Sequence, residues 1–83
     1  MTTLHPRGEV DLATMAAFEQ TLERGIGTGR DLVVDLSELT FIDAAGLRAL
    51  AQAADRVNRL SLVCPNPHLS RLLRLVGLGE HIE

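Results

Sequence analysis

The residues able to do chemistry are few and scattered. The three histidines, His5, His68 and His81, lack the spacing of metal ligands, so each reads as a surface side chain. Cys64, the one cysteine, closes an apolar run. It reads as a small core residue, since a reactive thiolate needs an electropositive neighbour. Asp11, Asp35 and Asp43 each fall near the end of an expected strand. Together at one sheet edge they would suit a cation; separately they serve as caps and solvated loop residues, the reading preferred. Gly25, Gly27 and Gly29 follow a helical pattern, whereas a phosphate-cradling loop follows a strand and opens a helix. No catalytic set, metal site or cofactor motif is expected. The most informative stretch is Val33-Val34-Asp35-Leu36-Ser37-Glu38-Leu39-Thr40-Phe41-Ile42-Asp43-Ala44-Ala45-Gly46-Leu47. It reads as strand, loop, small-residue turn and helix start. Its unpaired amides would suit a phosphate or carboxylate, or the turn is an ordinary strand-to-helix connection.

Such residues need a scaffold, and 83 residues allow one small domain, spanning 1–83. Apolar residues make up 46% of the chain and charged residues 23%, a globular balance. With Phe18 and Phe41 as the only aromatics, the core must come from Leu, Val, Ile and Ala. Net charge is −3, with no lysine and no basic run, which argues against a nucleic-acid partner. No apolar stretch approaches the about 18 residues of a membrane span, and no signal-peptide core opens the chain. A cytoplasmic protein is expected.

Gly8 to Asp11 reads as a short extended segment, with Pro6 keeping any strand short or at an edge. A first helix is expected from about Thr14 to Arg24, capped by Asp11 or Thr14, with Met15, Phe18 and Leu22 on one face. Gly25, Gly27 and Gly29 should break it. Leu32 to Leu36 reads as a buried strand and Ser37 to Thr40 as a loop. A second helix is expected from near Ala44 to near Asn58, capped by Asp43, with Leu47, Leu50, Ala51, Ala54 and Val57 in period. Leu60 to Cys64 reads as a strand. Asn66-Pro67 marks a third helix, with Leu69, Leu72, Leu73 and Val76 inward and Gly77 at its end. The alternation of three strands with three helices implies an α/β fold with a small, mostly parallel sheet.

The central stretch resembles the signature of STAS domains, the sulfate-transporter and anti-sigma-factor-antagonist family. Asp35-Leu36-Ser37 and Phe41-Ile42-Asp43-Ala44-Ala45-Gly46-Leu47 match its Asp-Leu-Ser and Phe-Ile/Met-Asp-Ser-Ser-Gly-Leu blocks at the right separation. Gly8-Glu9-Val10-Asp11-Leu12-Ala13-Thr14 resembles its Gly-Glu-Leu-Asp-x-x-Thr/Ser stretch, and Asn66 to Leu78 resembles its last helix. The blocks come in order and span nearly the whole chain.

The resemblance implies a STAS-like α/β fold and a non-enzymatic interaction module. It implies binding to an anti-sigma factor that is also a serine kinase of the GHKL type, in bacterial partner switching that regulates sigma-factor-dependent transcription. The implied docking residues are Asp43, Ala44, Ala45, Gly46, Leu47 and Arg48, joined by Asp11 and Thr14. Ala45 stands where the family carries its phospho-acceptor serine, and Ala44 where it carries the preceding one, so neither accepts a phosphate. The family's opening strand is expected to be absent or very short, marking the chain as a candidate fragment or misassigned start. The sheet edge left exposed would favour a homodimer. Two alternative implied roles are an accessory subunit of a transporter or stress-signalling assembly, and a small-ligand-binding module.

Overall fold

Four-residue apolar runs and three amphipathic segments set the architecture. The computed structural model describes residues 1–27 and 31–83. Strand β1 (Thr2–Leu4) and β2 (Gly8–Val10) precede α1 (Met15–Ile26); β3 (Leu32–Asp35) and β4 (Leu39–Ile42) precede α2 (Ala44–Arg56). Strand β5 (Leu60–Val63) leads to α3 (Pro67–Leu75), and a 3-10 turn at Gly79–His81 ends the chain. One sheet has the order β1-β3-β5 and a second pairs β2 with β4; every pairing is parallel.

The two ladders follow one another along the same pair of segments: β1 runs beside β3 and β2 beside β4, with breaks at residues 5–7, which include Pro6, and at 36–38. Proline has no N–H to give the ladder, so the break falls there. The register shifts between Gly8 and Glu9, where Thr40 of β4 is the extra residue, and Gly8 on the facing strand adopts a φ of 75°, a conformation glycine takes without strain. The expected α/β class and parallel pairing hold, and the opening strand is very short, one of the two expected outcomes, but one strand was not anticipated. That opening strand is Thr2–Leu4, three residues long, and it pairs with β3. Leu39–Ile42, read as loop and lead-in, is strand β4. Its burial runs buried, exposed, exposed, buried rather than alternating, which hides the strand period.

Strand β3 is central and carries the core. Leu32, Val34 and Leu36 are fully buried, as are Leu50, Leu62 and Leu73 from the elements around them. From α1 come Phe18, Leu22 and Ile26, with Met15 partly buried, one face at successive turns. The first helix outruns its expected end. Gly25 is inside it and buried, with Leu32 and Leu4 where a side chain would lie; Gly27 is the C-cap, and Gly29 lies outside the described residues. Helix α2 buries Gly46, Leu47, Leu50 and Ala53; Ala51, Ala54 and Val57 are only partly buried, and the helix stops at Arg56. Helix α3 buries Leu69, Ser70 and Leu73, but Leu72 and Val76, expected inside, are about half exposed.

The third helix has both expected ends. Asn66 Oδ1 accepts from the N–H groups of His68 and Leu69 at 2.9 and 3.3 Å, with Pro67 beside it at the first helical position. Gly77 follows the C-cap at a φ of 84°. Beyond it Leu78 is buried and Ile82 bridges to Leu62. His81, read as a surface residue, is half-buried and donates from Nδ1 to the Leu60 carbonyl at 3.1 Å, fastening this tail to β5.

Candidate functional site

Two turns at the ends of β2 and β4 sit side by side. The Asp43 N–H donates to the Val10 carbonyl at 3.0 Å, joining the last residue of β2 to the first turn of α2. Asp43 then caps that helix: its Oδ1 accepts from the Gly46 N–H at 2.9 Å, and its carbonyl accepts from the Leu47 N–H. Gly46 lies flat on the strand side chains; a Cβ there would fall 2.6 Å from Ile42 Cγ1 and 2.8 Å from Val10 Cγ1. The turn is therefore pinned from below and from the side. Ala44 and Ala45 are left exposed on its outer surface, with Arg48 exposed one turn on. Gly46 and Leu47 face inward.

The second turn closes on itself. Asp11 Oδ1 accepts from the Ala13 and Thr14 N–H groups at 3.0 and 3.2 Å. The Thr14 hydroxyl accepts from the Asp11 N–H at 3.0 Å and donates to the Glu9 carbonyl at 2.7 Å. Thr14 occupies the N-cap of α1, yet its hydroxyl makes no cap bond to the helix, because it reaches back to β2 instead. At the tip of this rigid turn Leu12 is 93% exposed. The sequence reading missed Leu12. The signal available was a leucine next to the turn-forming Asp11, two residues before the N-cap of α1 and so outside the helix that would bury it.

The three acids do not gather. Asp11 and Asp43 are each used by their own turn. Asp35 ends β3, accepts from the Ser37 N–H at 2.9 Å and faces His5 at 3.5 Å. Among the described residues no three His, Cys, Asp or Glu side chains are placed to hold a metal ion. Cys64 is half-buried with Sγ 3.6 Å from the Asn66 carbonyl, and its own carbonyl accepts from the Ser70 hydroxyl at 3.0 Å. Among the described residues no helix is long and apolar enough to cross a membrane.

The ion pairs lie away from these turns. Arg56 of α2 grips Glu23 of α1 with both guanidinium ends; both are exposed, so the pair contributes little stability. The Arg56 hydrogen bonds hold the Glu23 carboxyl below its ordinary value. The Ser37 hydroxyl and then its N–H, with a smaller share from His5, hold the Asp35 carboxyl below its own. A carboxyl lowered on folding stabilises the native state above its unfolded pKa. That contribution disappears as pH falls through the folded value. Substituting Ser37→Ala should raise the Asp35 midpoint toward the ordinary range, read by carboxyl 13C titration; an unmoved midpoint would reject Ser37 as the main cause.

These turns and this sheet define a known class of protein. The family described as "Mlab, STAS domain" matches residues 1–83, and the chain belongs to the STAS family. Over 77 residues it is 31% identical to the anti-sigma-F factor antagonist RsfB of Mycobacterium tuberculosis, covering 88% of this chain and 63% of that one. The chain thus spans just under two thirds of the length of the curated relatives it matches. Among solved structures it is similar to an anti-sigma factor antagonist from Mycobacterium paratuberculosis, with a TM-score of 0.84 and 27% identity over 96% of this chain and 72% of that one. The anti-sigma factor antagonist SpoIIAA in its unphosphorylated form superposes with a TM-score of 0.81 at 19% identity, covering 99% of this chain and 77% of that one. At that identity the likeness is one of fold.

Proposed function

We propose that this chain is an anti-sigma factor antagonist, a non-enzymatic cytoplasmic module that binds a GHKL-type anti-sigma factor kinase and so regulates sigma-factor-dependent transcription. The observation that carries the reading is the turn under Asp43. It is rigidly capped, it stands at the carboxyl end of a parallel strand pair, and it presents Ala44 and Ala45 outward with no hydroxyl between them. Homology to anti-sigma factor antagonists supports the same role. The docking surface consists of Asp43, Ala44, Ala45 and Arg48, with Leu12 and the Asp11–Thr14 turn beside them. Gly46 and Leu47 act from beneath by fixing the turn. An alanine at position 45 makes the contact one that phosphorylation there does not end.

A constitutive contact also suits an accessory subunit of a larger assembly, the second reading. The test titrates the chain against the GHKL anti-sigma factors of its own genome, with ADP and with ATP, and records intact mass after each incubation. Tight binding that survives ATP is expected, with a mass gain of one phosphate in Ala45→Ser alone. Phosphate on the unmodified chain would reject the constitutive reading. Absence of binding to every such kinase would leave the accessory-subunit reading in its place.

A further inference from the structure

The third helix carries an apolar stripe that the fold does not cover. Leu75 is 72% exposed, Val76 46% and Leu72 43%, and their i, i+3, i+4 spacing sets them on one face. The stripe continues onto α2: Val76, Ala44, Leu47, Arg48 and Ala51 line an open hollow of about 310 Å³. Arg48 is the one charged side chain in its wall; the Asp43 carboxylate caps α2 beside Ala44, turned to the Gly46 N–H, and Arg71 is exposed on α3 one turn before Leu75, outside the wall. Among the described residues neither arginine makes an ion pair. His68 stands one turn before Leu72, and Asp55 lies two turns beyond Arg48 on α2, outside the wall of the hollow. In a chain of net charge −3 this is an apolar surface with one guanidinium in the hollow and a second beside Leu75, neither in an ion pair among the described residues.

We propose that this α2–α3 surface docks an acidic amphipathic helix of the partner protein, with an apolar stripe in the hollow and carboxylates on Arg48 and Arg71. The proposal rests on the partner-docking reading above and extends it along α2, away from Ala45. A helix fits better than a strand. The hollow is walled by side chains of α2 and by Val76 at the end of α3, with no strand among its lining residues, so an added strand would find no ladder to join. A second copy of the same face would bring guanidinium groups together. Carboxylates supply the charge that is missing, and they fix register and orientation.

The test titrates the 15N-labelled chain with two synthetic amphipathic helical peptides. They share one leucine stripe and carry glutamates or lysines along its flanks. Saturable amide shifts at Arg48, Leu72, Leu75 and Val76 are expected with the glutamate peptide, and binding at least about tenfold weaker with the lysine peptide. Leu75→Glu and Arg71→Glu, both at exposed positions, should abolish the response while the rest of the spectrum stays in place. An equal response to both peptides, no saturable response, or shifts confined to β4 would overturn the proposal. The titration with anti-sigma factors is read separately. A peptide response without anti-sigma binding keeps the groove and rejects the antagonist role. Anti-sigma binding that Leu75→Glu leaves intact, with no peptide response, rejects the groove alone.

Discussion

Valine in place of Gly46 is expected to remove about 3 kcal/mol or more of folding stability, and alanine about 1–2 kcal/mol. The clash is with atoms that cannot move away. A Cβ at position 46 meets Ile42 Cγ1 at 2.6 Å and Val10 Cγ1 at 2.8 Å. Both neighbours are β-branched, both lie in strands, and their exposures are 6% and 3%. Their rotamers are stiff, and a Cγ is only one bond from the Cβ beside the backbone. To admit a side chain, α2 must lift from β2 and β4. The Asp43 cap and the Asp43–Val10 bond would be strained with it. An alanine recovers up to about 1 kcal/mol of helix propensity, which is why its net cost is smaller. Gly25→Ala is the comparison: its closest neighbours are Leu32 Cδ1 at 2.7 Å and Leu4 Cδ1 at 3.0 Å, the tips of side chains that can rotate. It should cost less than half as much as Gly46→Val. At about 0.05–0.15 kcal/mol per residue, a chain of this length holds only about 4–12 kcal/mol, so a loss of 3 is a large share. Urea denaturation reads the difference directly. A Gly46→Ala variant as stable as the parent would show that the helix is not seated as tightly as these distances require.

How much of this was legible in the sequence depended on which signal carried it. Capping chemistry is local, and it read correctly at Asp43, Asn66-Pro67 and Gly77, where side chain and neighbouring amides lie within three residues. At Thr14 the same inference failed because the hydroxyl had a better partner, the Glu9 carbonyl, five residues back. Helix periodicity found the inward face of α1; on α2 it found Leu47 and Leu50 but took Ala51, Ala54 and Val57 where Ala53 is the buried residue, and it overfilled α3. Leu72 and Val76 share the helical period with Leu69 and Leu73, and hydrophobicity alone does not say which apolar face meets the core. Glycine spacing misled at Gly25. A glycine tolerated inside a helix by close packing against Leu32 looks, in one dimension, like a glycine that ends it. Strand β4 was hidden because both its ends are buried and its middle is not. The proposed docking residues came from the family signature, and the side-by-side placing of the two turns needed the Asp43–Val10 bond, a contact between residues far apart in the chain.

An aspartate at position 45 should separate folding from binding. Helix α2 carries no acid in its first turn, and Ala45 is exposed there. A carboxylate near a helix N-terminus gains about 0.3–1 kcal/mol from the helix dipole. Repulsion from Asp43, two residues away, takes some of that back. Ala45→Asp should therefore unfold within about 0.5 kcal/mol of the parent. Binding should behave very differently. A partner surface shaped to a methyl group, beside Asp43, has no group to pair with a second carboxylate. Burying that charge unpaired, next to one of like sign, costs about 2–5 kcal/mol, which is roughly thirtyfold to several thousandfold in Kd. Ala45→Ser is the contrasting case. A hydroxyl adds little volume and can turn toward water, so without ATP its affinity should stay within about threefold of the parent. Once phosphorylated, it would carry a charge of about −1.5 to −2 and lose at least as much affinity as the aspartate variant. The pair distinguishes charge from bulk, because serine and aspartate both enlarge the side chain while only one is ionised. Paired urea melts and binding titrations on the two variants decide the matter. An Ala45→Asp variant that still binds its anti-sigma factor within about threefold of the parent would place the contact elsewhere on the domain.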